Sequence, residues 1–349
     1  MRLGVFLPNW VGDVVMATPA LRSLRTYVGD GALVGVMRPY VAQVLAGSEW
    51  FDESIIYSKG NKNGGDELRA ARLDAVVLLT NSLRTGWMAY RSGIRERIGM
   101  AGNLRSPLLT TRVCSARRGW RERWRRVELP TVAGYLQVAQ AAGAPPVAPV
   151  LEMATTAADE QVADAVWSRL GWSNSARVAV FNTGGAFGAA KDWPGEHFAS
   201  LARRLATERD LRVLINCGPK ERDAARRIVA AAADSRVASL GDEADLPIGL
   251  TKAVIRRAEL LVTTDSGPRF FGVAFGVPTV TLFGPTSTEF TRTFSPHETS
   301  VSLGLDCQPC MKPSCPLGHH RCMRDLSVDR VLAAVNHALG MQPRKIAVA

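Results

Sequence analysis

Short apolar runs alternate along this chain with longer stretches whose apolar residues return every three or four positions. The runs at residues 3–7, 32–36 and 74–79 have the near-continuous hydrophobicity of strands buried on both faces, and a further strand is expected near 97–100. Helical spacing lies between them. Val14, Val15, Ala17, Leu21 and Leu24 follow the first run, and helices are predicted over 66–73, 82–91 and 129–142. Thr18-Pro19 has the form of an N-cap with proline at the first helical position, so the first helical stretch is expected in two pieces. Gly143-Ala144-Pro145-Pro146-Val147-Ala148-Pro149 carries no core pattern and reads as a connector. The alternation then resumes, with strands predicted at 178–181, 212–215, 237–240 and 259–262 and helices over 159–170, 195–206, 219–233 and 246–257.

Strands that alternate with helices argue for the α/β class and a parallel, doubly wound sheet, and here the pattern occurs twice. The length of 349 residues suits two domains better than one. Residues 1–145 and 155–349 are the expected domains, placed about a cleft, with the final helix packing back toward the first. Apolar residues at 46% and charged residues at 21% set disordered and fibrous classes aside. The N-terminal apolar run is too short for a signal peptide and breaks at Pro8. The uncharged apolar stretch 270–288 is interrupted by Gly272, Gly276, Pro278, Gly284 and Pro285, so it reads as helix, turn and strand. A cytoplasmic protein without a membrane-spanning helix is expected.

The net charge of +11 is uneven: residues 1–150 carry +9 and the remainder +2. Arg112, Arg117, Arg118, Arg121, Arg123, Arg125 and Arg126 crowd one segment around Trp120 and Trp124, where little periodicity remains and a mobile loop is expected. Such a cluster suits anionic lipid headgroups or nucleic acid; a solvated arginine-rich face is the plainer alternative.

The chemistry gathers at the ends of predicted strands. Residues 259–262 run into Thr263-Thr264-Asp265-Ser266-Gly267-Pro268, where a helix is expected to begin. Ser266 and Gly267 then offer a hydroxyl and close backbone approach at a helix N-terminus, which attracts phosphate. An ordinary corner with Asp265 as N-cap is the alternative. Asn182-Thr183-Gly184-Gly185-Ala186-Phe187-Gly188-Ala189-Ala190-Lys191-Asp192-Trp193-Pro194 also follows a strand; its glycines admit an anion and Lys191 brings a cation suited to a diphosphate. Neither the P-loop spacing nor Gly-x-Gly-x-x-Gly after a strand is present. Glu221, after Cys217-Gly218-Pro219-Lys220, is placed to accept from ribose hydroxyls or to stand exposed in a first helical turn. Asp13, just after the first strand, is either a functional carboxylate at the sheet's ligand edge or a helix-dipole cap.

Together these pieces resemble glycosyltransferase family 9, the ADP-heptose:lipopolysaccharide heptosyltransferases, over nearly the whole chain. The resemblance rests on Pro8-Asn9-Trp10-Val11-Gly12-Asp13 with Thr18-Pro19-Ala20-Leu21, on Gly184-Gly185-Ala186 through Lys191-Asp192-Trp193-Pro194, and on Asp265-Ser266-Gly267-Pro268 with Gly276-Val277-Pro278 and Leu282-Phe283-Gly284-Pro285-Thr286. The cysteine segment near residue 307 fits the family's second-heptose branch. What the resemblance implies is a GT-B architecture and an inverting transfer of heptose from ADP-heptose to a heptosyl-Kdo-lipid A acceptor. It further implies acceptor binding in the first domain, donor binding in the second, and a peripheral location on the inner face of the cytoplasmic membrane. Asp13 would be the catalytic base; Thr183, Lys191, Glu221, Asp265, Ser266 and Gly267 would bind donor; Arg117, Arg118, Arg121 and Arg125 would meet acceptor or membrane. One departure stands out: many relatives have His in the helix opening where this chain has Arg269-Phe270-Phe271, leaving Arg269 as the candidate to replace a donor contact. No cofactor is required by this scheme, since a base at Asp13 and cationic stabilisation of the leaving diphosphate supply the chemistry.

Cys307, Cys310, Cys315 and Cys322 give Cys-x2-Cys-x4-Cys-x6-Cys beside His319 and His320. In a cytoplasmic protein this spacing permits structural zinc or reduced, partly buried thiols; the reading adopted is thiols and no metal. Cys114 and Cys217 read as structural. Two rival classes remain, a basic nucleic-acid-binding protein with a zinc module and a nonenzymatic nucleotide-sugar binder. The first leaves the phosphate-type turns unexplained, and the second has no use for Asp13.

Overall fold

A computed structural model describes residues 1–58, 64–114 and 129–340. The chain divides into two compact units, one of residues 1–154 with 289–294 and one of residues 155–288 with 295–349. In the first, β1 (Arg2–Phe6), α1 (Val11–Met16), α2 (Thr18–Val28), β2 (Ala32–Met37), α3 (Pro39–Leu45) and β3 (Glu53–Ile56) are followed by α4 (Gly64–Ala70), β4 (Ala75–Leu78), α5 (Leu83–Arg91), β5 (Glu96–Met100), β6 (Thr111–Val113) and α6 (Thr131–Ala141). The strands form one parallel sheet in the order β3-β2-β1-β4-β5-β6. Its core is built from Phe6, Val34, Val36, Val76 and Leu78, with helix residues such as Leu68 and Ala89 closing over it. The split of the first helical stretch at Ala17 is present, with Thr18 buried and its hydroxyl donating to the Val15 carbonyl at 2.8 Å.

The second unit holds α7 (Ala157–Arg169), β7 (Val178–Asn182), α8 (Gly195–Arg209), β8 (Arg212–Asn216), α9 (Arg222–Ala232), β9 (Val237–Ser239), α10 (Ile248–Arg256), β10 (Leu260–Thr264) and α11 (Gly267–Ala274). It continues with β11 (Thr279–Leu282), β12 (Glu298–Val301), α12 (Arg321–Arg324) and α13 (Val328–Gly340). Its parallel sheet runs β12-β11-β10-β7-β8-β9. Read from β9, that is the same winding as the first sheet: the chain steps outward on one side of the opening strand, then returns to its other side. Each sheet therefore has a switch point, between β1 and β4 and between β7 and β10, where a ligand crevice forms at the strands' carboxyl ends. Helix α7 opens with a capping box in which Thr156 and Asp159 satisfy each other's backbone N–H groups. Helix α13 packs on β10, β11, β12 and α8.

Three strands were not anticipated from the apolar pattern: β3, β6 and β12. Each is an edge strand with little burial, and Glu53-Ser54, Thr111-Arg112 and Glu298-Thr299-Ser300 break the hydrophobic run that marks the inner strands. Helix α9 starts at Arg222 because the preceding residues are used in a turn, closed by the Glu221 N–H on the Gly218 carbonyl at 3.0 Å. Of the basic segment, Arg112 lies in β6, while Arg117, Arg118, Trp120, Arg121, Arg123, Trp124, Arg125 and Arg126 fall outside the described residues.

Candidate active site

At the switch point of the first sheet, β1 delivers the chain into the Leu7-to-Trp10 turn and then into α1, whose first turn carries Asp13 half-buried. No side chain caps α1, so Asp13 is not serving as its N-cap. Its Oδ1 accepts a hydrogen bond at 3.2 Å from the hydroxyl of Tyr135 on α6. Burial, and then the neighbouring carboxylate, raise the Tyr135 phenol well above its ordinary pKa, so it remains a donor across the working pH range. Nothing in the sequence pointed to Tyr135, which lies 122 positions from its partner. Around the same edge, Tyr40 donates to the Asn9 carbonyl, and Arg105 is 1% exposed at the ends of β4 and β5. Arg105 donates to the carbonyls of Met100 and Thr80 and to Asn81 Oδ1; burial lowers its pKa to about 10.

The second switch point joins three strand ends by a run of hydrogen bonds. Thr251 donates to Asn216 Oδ1 at 3.1 Å, Asn216 to Asn182 Oδ1 at 2.8 Å, and Asn182 to the Ser266 hydroxyl at 3.0 Å. Asn182 also donates to the Gly184 carbonyl at 3.0 Å, which ties the glycine-rich loop to β7. Thr183 and Ser266 stay partly exposed beside it. The glycines are required by contact: a Cβ on Gly184 would sit 1.9 Å from Glu221 Oε1, and one on Gly188, whose φ is +135°, would sit 2.5 Å from the Pro313 carbonyl. Glu221 turns its carboxylate back onto the Gly218 N–H at 2.7 Å.

Lys191 and Asp265 meet here. The ammonium lies 3.5 Å from Asp265 Oδ2, donates to the Asp265 carbonyl, and rests 4.5 Å from the centre of the Phe187 ring. Burial pulls the Lys191 pKa below the ordinary lysine value, and Asp265 offsets part of that shift. Burial alone would raise Asp265; Arg269 and then Lys191 overcome it and hold the carboxyl below its ordinary range. Asp265 does not cap α11, whose N-cap is Ser266 with no side-chain bond; Pro268 has no N–H and the Arg269 N–H donates to the Ser266 carbonyl at 3.2 Å, so the Gly267 N–H is the one the first turn offers here.

Arrangement and sequence can now be set against known proteins. The sequence model of glycosyltransferase family 9 (heptosyltransferase) matches residues 64–320. This chain belongs to that family. Lipopolysaccharide heptosyltransferase 2 of Escherichia coli K12 is 28% identical over 357 residues, covering 97% of this chain and 99% of the relative. Among solved structures, the family 9 glycosyltransferase of Veillonella parvula superposes with a TM-score of 0.83 at 24% identity over 98% of each chain. E. coli ADP-heptose lps heptosyltransferase II does so with 0.78 at 24% identity, over 98% of this chain and 99% of that one. The shared fold is GT-B, with two Rossmann-like units.

For this family 9 member one expectation needs correcting. Arg269 does not turn toward a ligand in place of the frequent histidine: its guanidinium is 1% exposed and is held by Asp265 and Glu298 inside the second unit. Glu298 gave no signal, because it lies on the unanticipated edge strand β12. Two other partners went unrecognised. The Ala190 N–H donates to the Pro313 carbonyl at 3.0 Å and a His320 ring nitrogen lies 2.7 Å from the Ala190 carbonyl, so the cysteine-bearing segment braces the Lys191 loop.

The cysteines are all free thiols. Cys307, Cys310, Cys315 and Cys322 line one cavity with His319 and His320, yet among the described residues no group of three or more His, Cys, Asp or Glu is arranged to hold a metal ion. The His320 backbone N–H, 3.4 Å from Cys315 Sγ, draws that thiol's pKa down, aided by the N–H groups of Leu317, Gly318 and His319. Burial pushes Cys217 up to about 11 and, with the nearby thiols, raises Cys322. Of the two cysteines read as structural, Cys217 is buried and Cys114 exposed.

Proposed function

We propose that this family 9 glycosyltransferase moves a heptose from ADP-heptose to the inner core of lipopolysaccharide, with a heptosyl-Kdo-lipid A as acceptor. The observation that carries the reading is the buried Lys191–Asp265 pair at the second sheet's switch point, beside the N-terminus of α11, in a chain of the heptosyltransferase family. Asp13 takes the proton of the acceptor hydroxyl as its oxygen attacks the anomeric carbon, and the bond from that carbon to the diphosphate breaks. Lys191 and the Gly267 N–H at the start of α11 receive the charge that develops on departing ADP. Thr183, Ser266 and Glu221 orient the donor, with Glu221 placed for a ribose hydroxyl. Among the described residues no helix is long and apolar enough to cross a membrane; Arg117, Arg118, Arg121 and Arg125 are assigned to anionic acceptor groups or the inner membrane face, which makes the protein cytoplasmic and peripheral. This scheme assigns no role to nucleic acid and none to a metal.

Product analysis tests it. The protein is mixed with ADP-heptose and with lipopolysaccharide lacking the second heptose. The expected result is ADP release matched by a mass gain of one heptose on the acceptor. ADP-heptose binding without either product would instead indicate a nonenzymatic binder.

A further inference from the structure

Behind Lys191 and Asp265 lie two further charges, Arg269 and Glu298. Side-chain exposure is 13% at Lys191, 5% at Asp265, 1% at Arg269 and 6% at Glu298. Arg269 gives Nη1 to Asp265 Oδ1 at 2.8 Å and presents Nε and Nη2 as a fork to the two oxygens of Glu298, the second at 3.1 Å. The rings of Phe270 and Phe283 each lie 4.8 Å from the guanidinium carbon, and Thr281 donates to Glu298 Oε1 at 2.7 Å. Four charges thus alternate in sign from the loop surface to the edge strand, summing to zero. A buried guanidinium needs its carboxylate, and a planar fork fixes orientation as well as charge. Without Glu298, Arg269 and Lys191 would both draw on Asp265, and the outer ammonium would lose part of its hold.

We propose that Arg269 and Glu298 are positioning residues for the donor reaction: Glu298 balances and orients Arg269, Arg269 fixes the Asp265 carboxylate, and Asp265 holds the Lys191 ammonium where diphosphate charge develops. This rests on the reading of Lys191 and Asp265 as the donor-charge site. A pair that merely stabilised the core would lower the unfolding temperature without favouring one substrate over the other. Coupling through a shared partner makes a different forecast, since neighbours in one charge network have non-additive effects.

The test compares Glu298→Gln, Thr281→Val and the double variant Arg269→Met/Glu298→Gln with the full-length wild type. Their KM values for ADP-heptose and acceptor, ADP affinity by calorimetry, and unfolding temperatures are measured. For Glu298→Gln the expected result is an ADP-heptose KM and ADP Kd raised about 10-fold with acceptor KM unchanged, an effect typical of a broken charge network. Thr281→Val, which removes only the hydroxyl donated to Glu298, shows the same split at smaller size and serves if Glu298→Gln does not fold. The double variant recovers most of the donor affinity despite a lower unfolding temperature, because Lys191 and Asp265 are left as a balanced pair. Unchanged ADP affinity in folded Glu298→Gln or Thr281→Val, or equal rises in both KM values, overturns the proposal. Lys191→Ala separates the two levels: if it leaves ADP affinity intact the donor-site reading fails, whereas if it weakens ADP and Glu298→Gln does not, only the positioning role fails.

Discussion

Replacing Asp13 with Asn removes a proton acceptor while keeping the size of the side chain. The side chain keeps its size and an oxygen to accept from Tyr135, now 3.2 Å away, and α1 loses no capping bond because Asp13 makes none as its N-cap. What the fold loses is one negative charge in the first turn of a short helix, worth roughly 0.3–1 kcal/mol. The reaction loses its base. General-base contributions run to about 10²–10⁴ in rate, which corresponds to roughly 2.7–5.5 kcal/mol of barrier. The two effects are far enough apart to measure separately. Single-turnover transfer at saturating donor and acceptor should slow by about two to four orders of magnitude, while ADP affinity and the urea unfolding midpoint stay near wild type. Tyr135→Phe should slow the same step by about 10-fold, as one hydrogen bond to a charged acceptor is lost. Near-normal turnover in Asp13→Asn, or a loss that follows ADP affinity, would remove Asp13 from the base role and return it to the helix dipole.

Lys191→Ala should weaken ADP and ADP-heptose binding by roughly 10- to 100-fold, the range for a charge-assisted bond in a partly closed site; calorimetry that finds wild-type affinity refutes the assignment. Changing Arg117, Arg118, Arg121 and Arg125 to Gln should flatten the salt dependence of binding to anionic liposomes, each cation near the surface contributing about 1 kcal/mol; an unaltered salt curve leaves the segment as a solvated face. Cys315 should react with iodoacetamide well before Cys217 or Cys322, as its thiol pKa is lowered and theirs are raised, and peptide mapping that reverses this order contradicts the geometry at His320. Transfer is expected to proceed without added divalent metal, and activity lost on gentle chelation would show otherwise. The Asp265 pKa is depressed in the fold, so its contribution to stability is present above its ordinary value of 3.8 and is lost as pH falls through the lower folded value. Urea midpoints of Asp265→Asn should accordingly lack part of the wild type's decline below pH about 4, and equal declines would refute the pairing.

The inner strands were legible because burial on both faces forces near-continuous apolar sequence, as in Leu260-Leu261-Val262. Three of the four edge strands were not: Glu53, Arg112 and Glu298 belong to strands that hydrogen-bond on one side and face solvent or charge on the other. Residues at strand ends could be found singly, since Gly184, Lys191, Asp265 and Asp13 follow apolar runs. Their partners could not. Tyr135 sits within an ordinary helical pattern, Asn216 closes a strand whose apolar run ends at Ile215, and Arg269 reads as a candidate donor contact until Glu298 is brought across from β12. A pair is written in the chain as two unrelated residues, and only strand order and register make it a contact.

The same winding is used twice, and the proposed mechanism asks different things of the two sets of strand ends. A group that must take up a proton has to change its charge during the reaction, so it works best where few fixed charges depend on its own. Asp13 is half-exposed, and the phenol that donates to it is kept protonated by burial. A site that receives charge on a leaving diphosphate works best when its dipoles and cations are already set and need no reorganisation at the moment of transfer. The second sheet meets that condition by burying Asp265, Arg269 and Glu298 under Lys191, with Asn182 and Asn216 fixing Ser266 at the adjoining strand end. Burying so much charge stabilises a fold weakly at best. On the proposed reading, what it supplies is less core stability than the direction of one ammonium.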